Sequence, residues 1–254
     1  MVGLYGGSLP ECSGFGWTCR FFIFDFCLLT FFRKILAIEC THQCISVAVS
    51  LPDGVVVRTL HEWRRTAESI VPLVDSVLAE SGLVREAIDA VAVSSGPGSF
   101  TALRIGMATA KGIAFGTGCP LVPVSTIEAL AFSALGQVRD GLLIPVVPAR
   151  KGEFYYALYS PDGDAVREMS PVTYVPVTVL KDVFMGMKEP RVFVARDTGP
   201  LEALAEEIGA DLLQADFFTA ASLLPFAEKK LSSGKPPSLE SVTPDYQQKF
   251  RSGG

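Results

Sequence analysis

Apolar positions along this chain change period several times, and each change marks an element. Lys34 to Glu39 encloses a short unbroken apolar run, Ile35 to Ile38, the mark of a buried strand. Cys44 to Ser50 alternates through Ile45, Val47 and Val49, which predicts a second strand. Leu51-Pro-Asp-Gly54 is a turn sequence, and Val55 to His61 a third strand. Strands joined this closely form an antiparallel meander. The period then lengthens: Ile70, Val71, Val74, Val77 and Leu78 fall on one helical face. With Ser69 as N-cap, Pro72 is expected in the first turn, where its missing N–H costs little. A strand over Ala90 to Ser94, a glycine-bearing loop over Gly96 to Thr101 and a helix over Ala102 to Phe115 follow.

The same order then recurs. Leu142 to Val147, Glu153 to Ser160 and Glu168 to Tyr174 read as three strands, with Pro161-Asp-Gly-Asp164 as the middle turn. A helix over Thr178 to Met185, a strand over Arg191 to Ala195 and a helix over Leu201 to Ile208 complete a second β-β-β-α-β-α run. A last helix, Ala220 to Leu231, precedes a Ser/Gly/Pro-rich stretch. Two copies of one unit predict a duplicated α/β fold: a first lobe over 34–135, a second over 136–235 and a tail over 236–254.

Residues 1–33 differ in composition from this body. They hold nine of the 25 aromatic residues and three of the six cysteines. Their most apolar run, Phe21 to Phe32, spans 12 residues with Asp25 inside it; a membrane-spanning helix needs about 20. Met1 to Pro10 carries no Lys or Arg, so neither a secretory signal nor a basic surface anchor fits. The expectation is upstream sequence from a misplaced start, or a poorly ordered extension. The whole chain has 254 residues and a formal charge of −5, which disfavours binding a polyanion through bulk positive charge. Its two histidines, His42 and His61, leave little for a His-rich metal site or a His-based triad. Cys40 and Cys44 flank His42, but no further ligands accompany them, so small thiols beside a turn are the simpler reading, reduced in the cytoplasm.

Two features carry candidate chemistry. Gly96-Pro-Gly-Ser-Phe-Thr-Ala-Leu-Arg104 runs from a strand through glycines into a helix. Free N–H groups there meet the positive end of a helix dipole, a geometry suited to phosphate or another anion. Gly96 and Gly98 allow close approach, Ser99 and Thr101 offer hydroxyls, Arg104 adds charge, and Glu39 is the best-placed acid for a nucleotide or metal. A plain capped strand-to-helix turn, with Glu39 merely ending its strand, explains the same residues. The second feature is a bare stripe, Ala102, Gly106, Ala110 and Ala114, recurring every four residues. It suits close helix packing, either within the chain or against a partner. No paired carboxylates, Ser-His-Asp set or H-E-x-x-H motif can be assembled, so no catalytic residue and no metal site are assigned.

Ile35-Leu-Ala-Ile-Glu-Cys-Thr41, the start of the first helix from Glu68 to Asp75, Ser95-Gly-Pro-Gly-Ser-Phe-Thr-Ala-Leu-Arg-Ile-Gly106 and Ala149-Arg-Lys-Gly-Glu-Phe-Tyr155 together resemble the TsaB (YeaZ) family, over about 34–246. The resemblance implies an actin-like ATPase fold (ribonuclease H-like), related to the glycoproteases. It implies a non-catalytic scaffold and dimerization subunit that supports TsaD in making N6-threonylcarbamoyladenosine in transfer RNA, with TsaE as a further partner. Such a chain is cytoplasmic, meets tRNA through the complex, pairs with itself when alone, and has no membrane role. It needs no cofactor itself, ATP or ADP being expected only at the partner interface. The family pairs through two first-lobe helices, which makes Ile70, Val74, Ala102, Gly106, Ala110 and Ala114 the expected interface, to be blocked by Gly106→Leu with the fold kept. Glu39-Cys40 stands where nucleotide-handling relatives have Asp-Thr, Ala102 where Gly is usual, and Pro148 where Asp is common. Thr66-Ala67-Glu68 lacks the usual His. These departures oppose the competing reading, a stand-alone actin-like phosphotransferase or glycoprotease-type peptidase.

Overall fold

The computed structural model describes residues 33–42, 44–61, 63–234 and 236–246. The expectation for 1–33 therefore lies outside the described residues except at Arg33. Its guanidinium pairs with Glu228, and its carbonyl accepts from the Ser50 hydroxyl at 2.7 Å.

The first lobe contains β1 (Ile35–Glu39), β2 (Ile45–Leu51), β3 (Gly54–Leu60), α1 (Thr66–Ser81), β4 (Ala90–Gly96), α2 (Phe100–Thr117), β5 (Leu121–Ser125) and α3 (Thr126–Ser133). The second contains β6 (Leu142–Pro148), β7 (Glu153–Asp162), β8 (Ala165–Pro176), α4 (Val177–Phe184), β9 (Arg191–Ala195), α5 (Glu202–Ile208) and β10 (Asp211–Gln214), followed by α6 (Leu224–Ser233). The sheets run β3-β2-β1-β4-β5 and β8-β7-β6-β9-β10. In both, the first three strands pair antiparallel and the last two join parallel. The duplication is real, and each copy is longer than the periodicity predicts: β5, α3 and β10 complete it.

Alternation along the strands builds three cores. Leu36, Ile38, Val91 and Val93 turn outward onto α1 and α2. Ile35, Ala37, Ala90 and Ala92 turn inward, where they meet Leu143, Tyr155, Ala157 and Val194 of the second sheet. The space between the sheets is filled by α3 and by Ala215, Phe218, Ala220 and Leu223. Ile144, Val146, Phe154 and Phe193 cover the outer face of the second lobe with Leu180, Phe184 and Leu204.

Two local expectations need correction. α1 starts at Thr66, with Arg65 at the N-cap position supplying no side-chain capping bond (its guanidinium donates to Glu68 instead), so Ser69 is not the N-cap and Pro72 lies inside the helix. The ring is tolerated because Pro72 faces solvent between the buried pairs Ile70–Leu73/Val74 and Val77/Leu78. Val71, placed on the apolar face by its spacing, is 45% exposed, and Leu73 takes the buried position. In the second lobe, β7 and β8 shift register between Tyr156 and Leu158 and again at Tyr159. The Ser170 hydroxyl accepts from the Leu158 N–H there, at 3.0 Å.

Candidate functional site

β1 delivers Glu39 to the point where the chain leaves the sheet, and the side chain is fully buried. One carboxylate oxygen accepts from the Thr41 N–H at 2.8 Å and from the Thr41 hydroxyl; the other accepts from the Ser94 hydroxyl. Nδ1 of His42 lies 2.9 Å from Oγ1 of Thr41 and 3.5 Å from the carboxylate. A buried carboxylate is costly unless hydrogen-bonded, and these donors supply that compensation. Glu39 thus holds the 39–42 turn together and presents no surface to a ligand. The His42 ring meets Phe218 edge-on at 5.7 Å, so an aromatic from the second half of the chain closes over the turn.

The glycine loop is filled in the same way. The Ser99 N–H donates to the Thr41 carbonyl at 3.0 Å, and a Cβ on Gly98 would lie 2.5 Å from Cβ of Thr41. Gly96 has φ +114°, and a Cβ there would lie 2.6 Å from the Asp245 carbonyl oxygen. The close approach that both glycines permit is therefore used by the chain's own backbone and side chains. Ser99 forms the N-cap position of α2 but makes no side-chain cap. Thr101 is exposed. Arg104 donates from Nε to the Tyr246 hydroxyl at 3.0 Å, and its guanidinium lies 4.0 Å over the Phe100 ring. The structure brings Glu39, Gly98 and Ser99 together around Thr41, whereas Arg104 is engaged with aromatic rings. The loop closes on the chain's own Thr41 and Asp245, and its Ser99 leaves the start of α2 without a side-chain cap.

The stripe on α2 faces the opposite way from the interface expectation. Ala102, Gly106, Ala110 and Ala114 are buried against the first lobe's own sheet, as are Ile70 and Val74 of α1. A Cβ on Gly106 would lie 2.5 Å from Sγ of Cys40, and that sulfur donates to the Ala102 carbonyl at 3.2 Å. The physical reason is phase: 3.6 residues per turn place two rows of small residues on this helix. The row that faces solvent is Ala108, Gly112 and Gly116. Gly112 and Gly116 have open space at their Cβ positions, and Phe115 beside them is 81% exposed. The sequence shows both rows at the same spacing, and it is the structure that tells which of them faces the sheet.

Cys40 and Cys44 are both buried, and burial pushes each thiol up. Glu39 adds to the rise at both, while Arg196 partly opposes it at Cys44. The thiolate is the reactive form, so these are packing groups. Among the described residues no cluster of three or more His, Cys, Asp and Glu could hold a metal ion. Nor, among them, is any helix long and apolar enough to cross a membrane. Sequence reasoning also missed Phe218, Val242 and Tyr246; the two tail residues stand out only as apolar positions in a polar stretch.

The family model of TsaD, tRNA N6-adenosine threonylcarbamoyltransferase, matches residues 54–194, more than half of the chain. The TsaB tRNA threonylcarbamoyladenosine biosynthesis protein of Escherichia coli is 29% identical over 218 residues, 84% of this chain and 94% of that one. Its Bacillus subtilis namesake is 28% identical over 175 residues, 68% and 76% of the two chains. That of Haemophilus influenzae reaches 35% over 124 residues, about half of each. Among solved structures, YeaZ from Pseudomonas aeruginosa superposes with a TM-score of 0.72 at 23% identity, over 84% of this chain and 99% of its own. That likeness shows the fold, two lobes of the actin-like type. With the motifs, the topology and the matched span in agreement, the chain belongs to this family, on its TsaB (YeaZ) branch.

Proposed function

We propose that this chain is a non-catalytic scaffold in the biosynthesis of tRNA threonylcarbamoyladenosine, binding TsaD through the exposed face of α1 and α2. The relatives named for that pathway support the role. The observation that carries the scaffold reading is the glycine loop. Its backbone is taken by Thr41 and Asp245, and Glu39 beneath it is fully hydrogen-bonded and buried. A loop occupied by its own chain argues against a phosphotransferase acting alone, and any ATP or ADP belongs at the joint with the partner.

The docking face follows from the phase of α2. Ala108, Gly112 and Gly116 let a partner helix approach closely, while Phe115 and, on α1, Val71 offer apolar area. The same face serves self-pairing when TsaD is absent. TsaE and tRNA then join through the complex, in the cytoplasm.

The test is reconstitution with TsaD, TsaE, tRNA, ATP and threonylcarbamoyl-adenylate. Modified adenosine should require this chain, and the chain alone should turn nothing over. Gly112→Arg should weaken TsaD binding by about tenfold or more, as loss of a central contact does, with a melting temperature no lower than wild type, since Arg exceeds Gly in helix propensity. Product formation without the chain, or full TsaD affinity in Gly112→Arg, would each overturn the corresponding part.

A further inference from the structure

The stretch after α6 reads from its composition as a loose tail, yet its described end touches both lobes. Val242 is 3% exposed and lies in the outer core of the first lobe, with Leu239 beside it. The Asp245 N–H donates to the Ser95 carbonyl at 2.7 Å, at the end of β4. The Tyr246 ring packs on Phe100 at 4.9 Å between centroids, and its hydroxyl accepts from Arg104. The Tyr246 carbonyl accepts from the Tyr155 hydroxyl on β7 at 3.2 Å. Tyr155 is itself part of the core between the sheets.

α2 needs such support. Its first N–H groups have no intrahelical partners, Ser99 supplies no side-chain cap, and Gly106, Gly112 and Gly116 lower its intrinsic stability. An uncapped, glycine-bearing helix start opens readily unless something outside the helix holds it. Phe100 and Arg104 occupy that first turn, and Tyr246 grips both.

We propose that residues 239–246 form an interlobe clasp, in which Tyr246 braces the uncapped first turn of α2 through the Phe100 ring and the Arg104 guanidinium and fastens that helix start to β7 of the second lobe. The clasp couples the two lobes at the mouth of the glycine loop, independently of whether the chain docks on TsaD. Gly96 is glycine on this account because the clasp backbone passes against it, with the Asp245 carbonyl where a Cβ would stand.

Hydrogen–deuterium exchange on the full chain tests this. Tyr246→Ala should speed exchange of the hydrogen-bonded amides of 103–106 by roughly tenfold, with the β1 and β9 amides unchanged. Tyr246→Phe keeps the ring contact and loses the Arg104 bond, so it should fall between wild type and Tyr246→Ala. Tyr155→Phe removes one second-lobe hydroxyl and should still speed exchange of the Asp245 amide, bonded in the first lobe. That variant also serves if Tyr246→Ala fails to fold. Rates at 103–106 within about twofold of wild type in Tyr246→Ala, or an unchanged Asp245 amide in Tyr155→Phe, would overturn the clasp.

Discussion

At the scale of single residues, the contact between Gly106 and Cys40 decides what α2 tolerates. A methyl on residue 106 points at a buried sulfur that already bonds the Ala102 carbonyl. Gly106→Leu should therefore cost about 3 kcal/mol or more through overpacking, destroying the fold locally rather than a partner contact. The smaller change separates the causes. Ala exceeds Gly in helix propensity by about 1 kcal/mol, so Gly106→Ala should be stabilising in a Cys40→Ala background and destabilising in the wild type. A double-mutant cycle by urea denaturation checks the coupling, and additive effects would mean that sulfur and methyl do not meet. Glu39 teaches the converse lesson: an acid at a strand end looks like a ligand in sequence, while of the partners that consume it Thr41 is two residues away but Ser94 becomes its neighbour only on folding.

Among elements, α1 carries an identifiable liability in Pro72, which withholds an amide from the helix interior. Pro72→Ala should raise stability by about 1 kcal/mol, the gain in helix bonding being partly offset by a freer unfolded chain. Thermal denaturation measures this, and a loss of stability would show that the ring is required by the shape of α1. The same helix marks what was legible in the sequence. Strands β1, β2 and β4 and the repeated unit were legible because their burial follows a simple period. β5, α3 and β10 were not, since short runs such as Leu121–Ser125 and Asp211–Gln214 follow helices and loops without a period of their own. The orientation of α2 was not legible for a related reason. Both small-residue rows of α2 have the same four-residue spacing, and only the position of the sheet tells the inward row from the outward one. The glycine loop was legible as a motif, but its occupants, Thr41 and Asp245, lie 57 and 147 residues away from Gly98 in the chain.

The whole molecule has its central core between the sheets, built from both lobes with α3 and Phe218 inside it. The Ala220 N–H also donates to the Ser46 hydroxyl at 3.0 Å across that seam. Neither lobe can bury its inner face alone, so calorimetry should give one transition with equal calorimetric and van't Hoff enthalpies. Two resolved peaks would mean that the lobes are separate folding units. The outer limits of the molecule carry a different consequence. β8 is the longest of the edge strands, a feature that in principle templates another chain's strand. Its register breaks against β7 and the prolines at 171 and 176 interrupt the row of amides it could offer. Arg167 and Glu168 add charge to the same strand. The irregular hairpin thereby guards against fibrillar stacking, and a regularised β8 would offer a long open edge on which copies of the chain could pile up strand by strand.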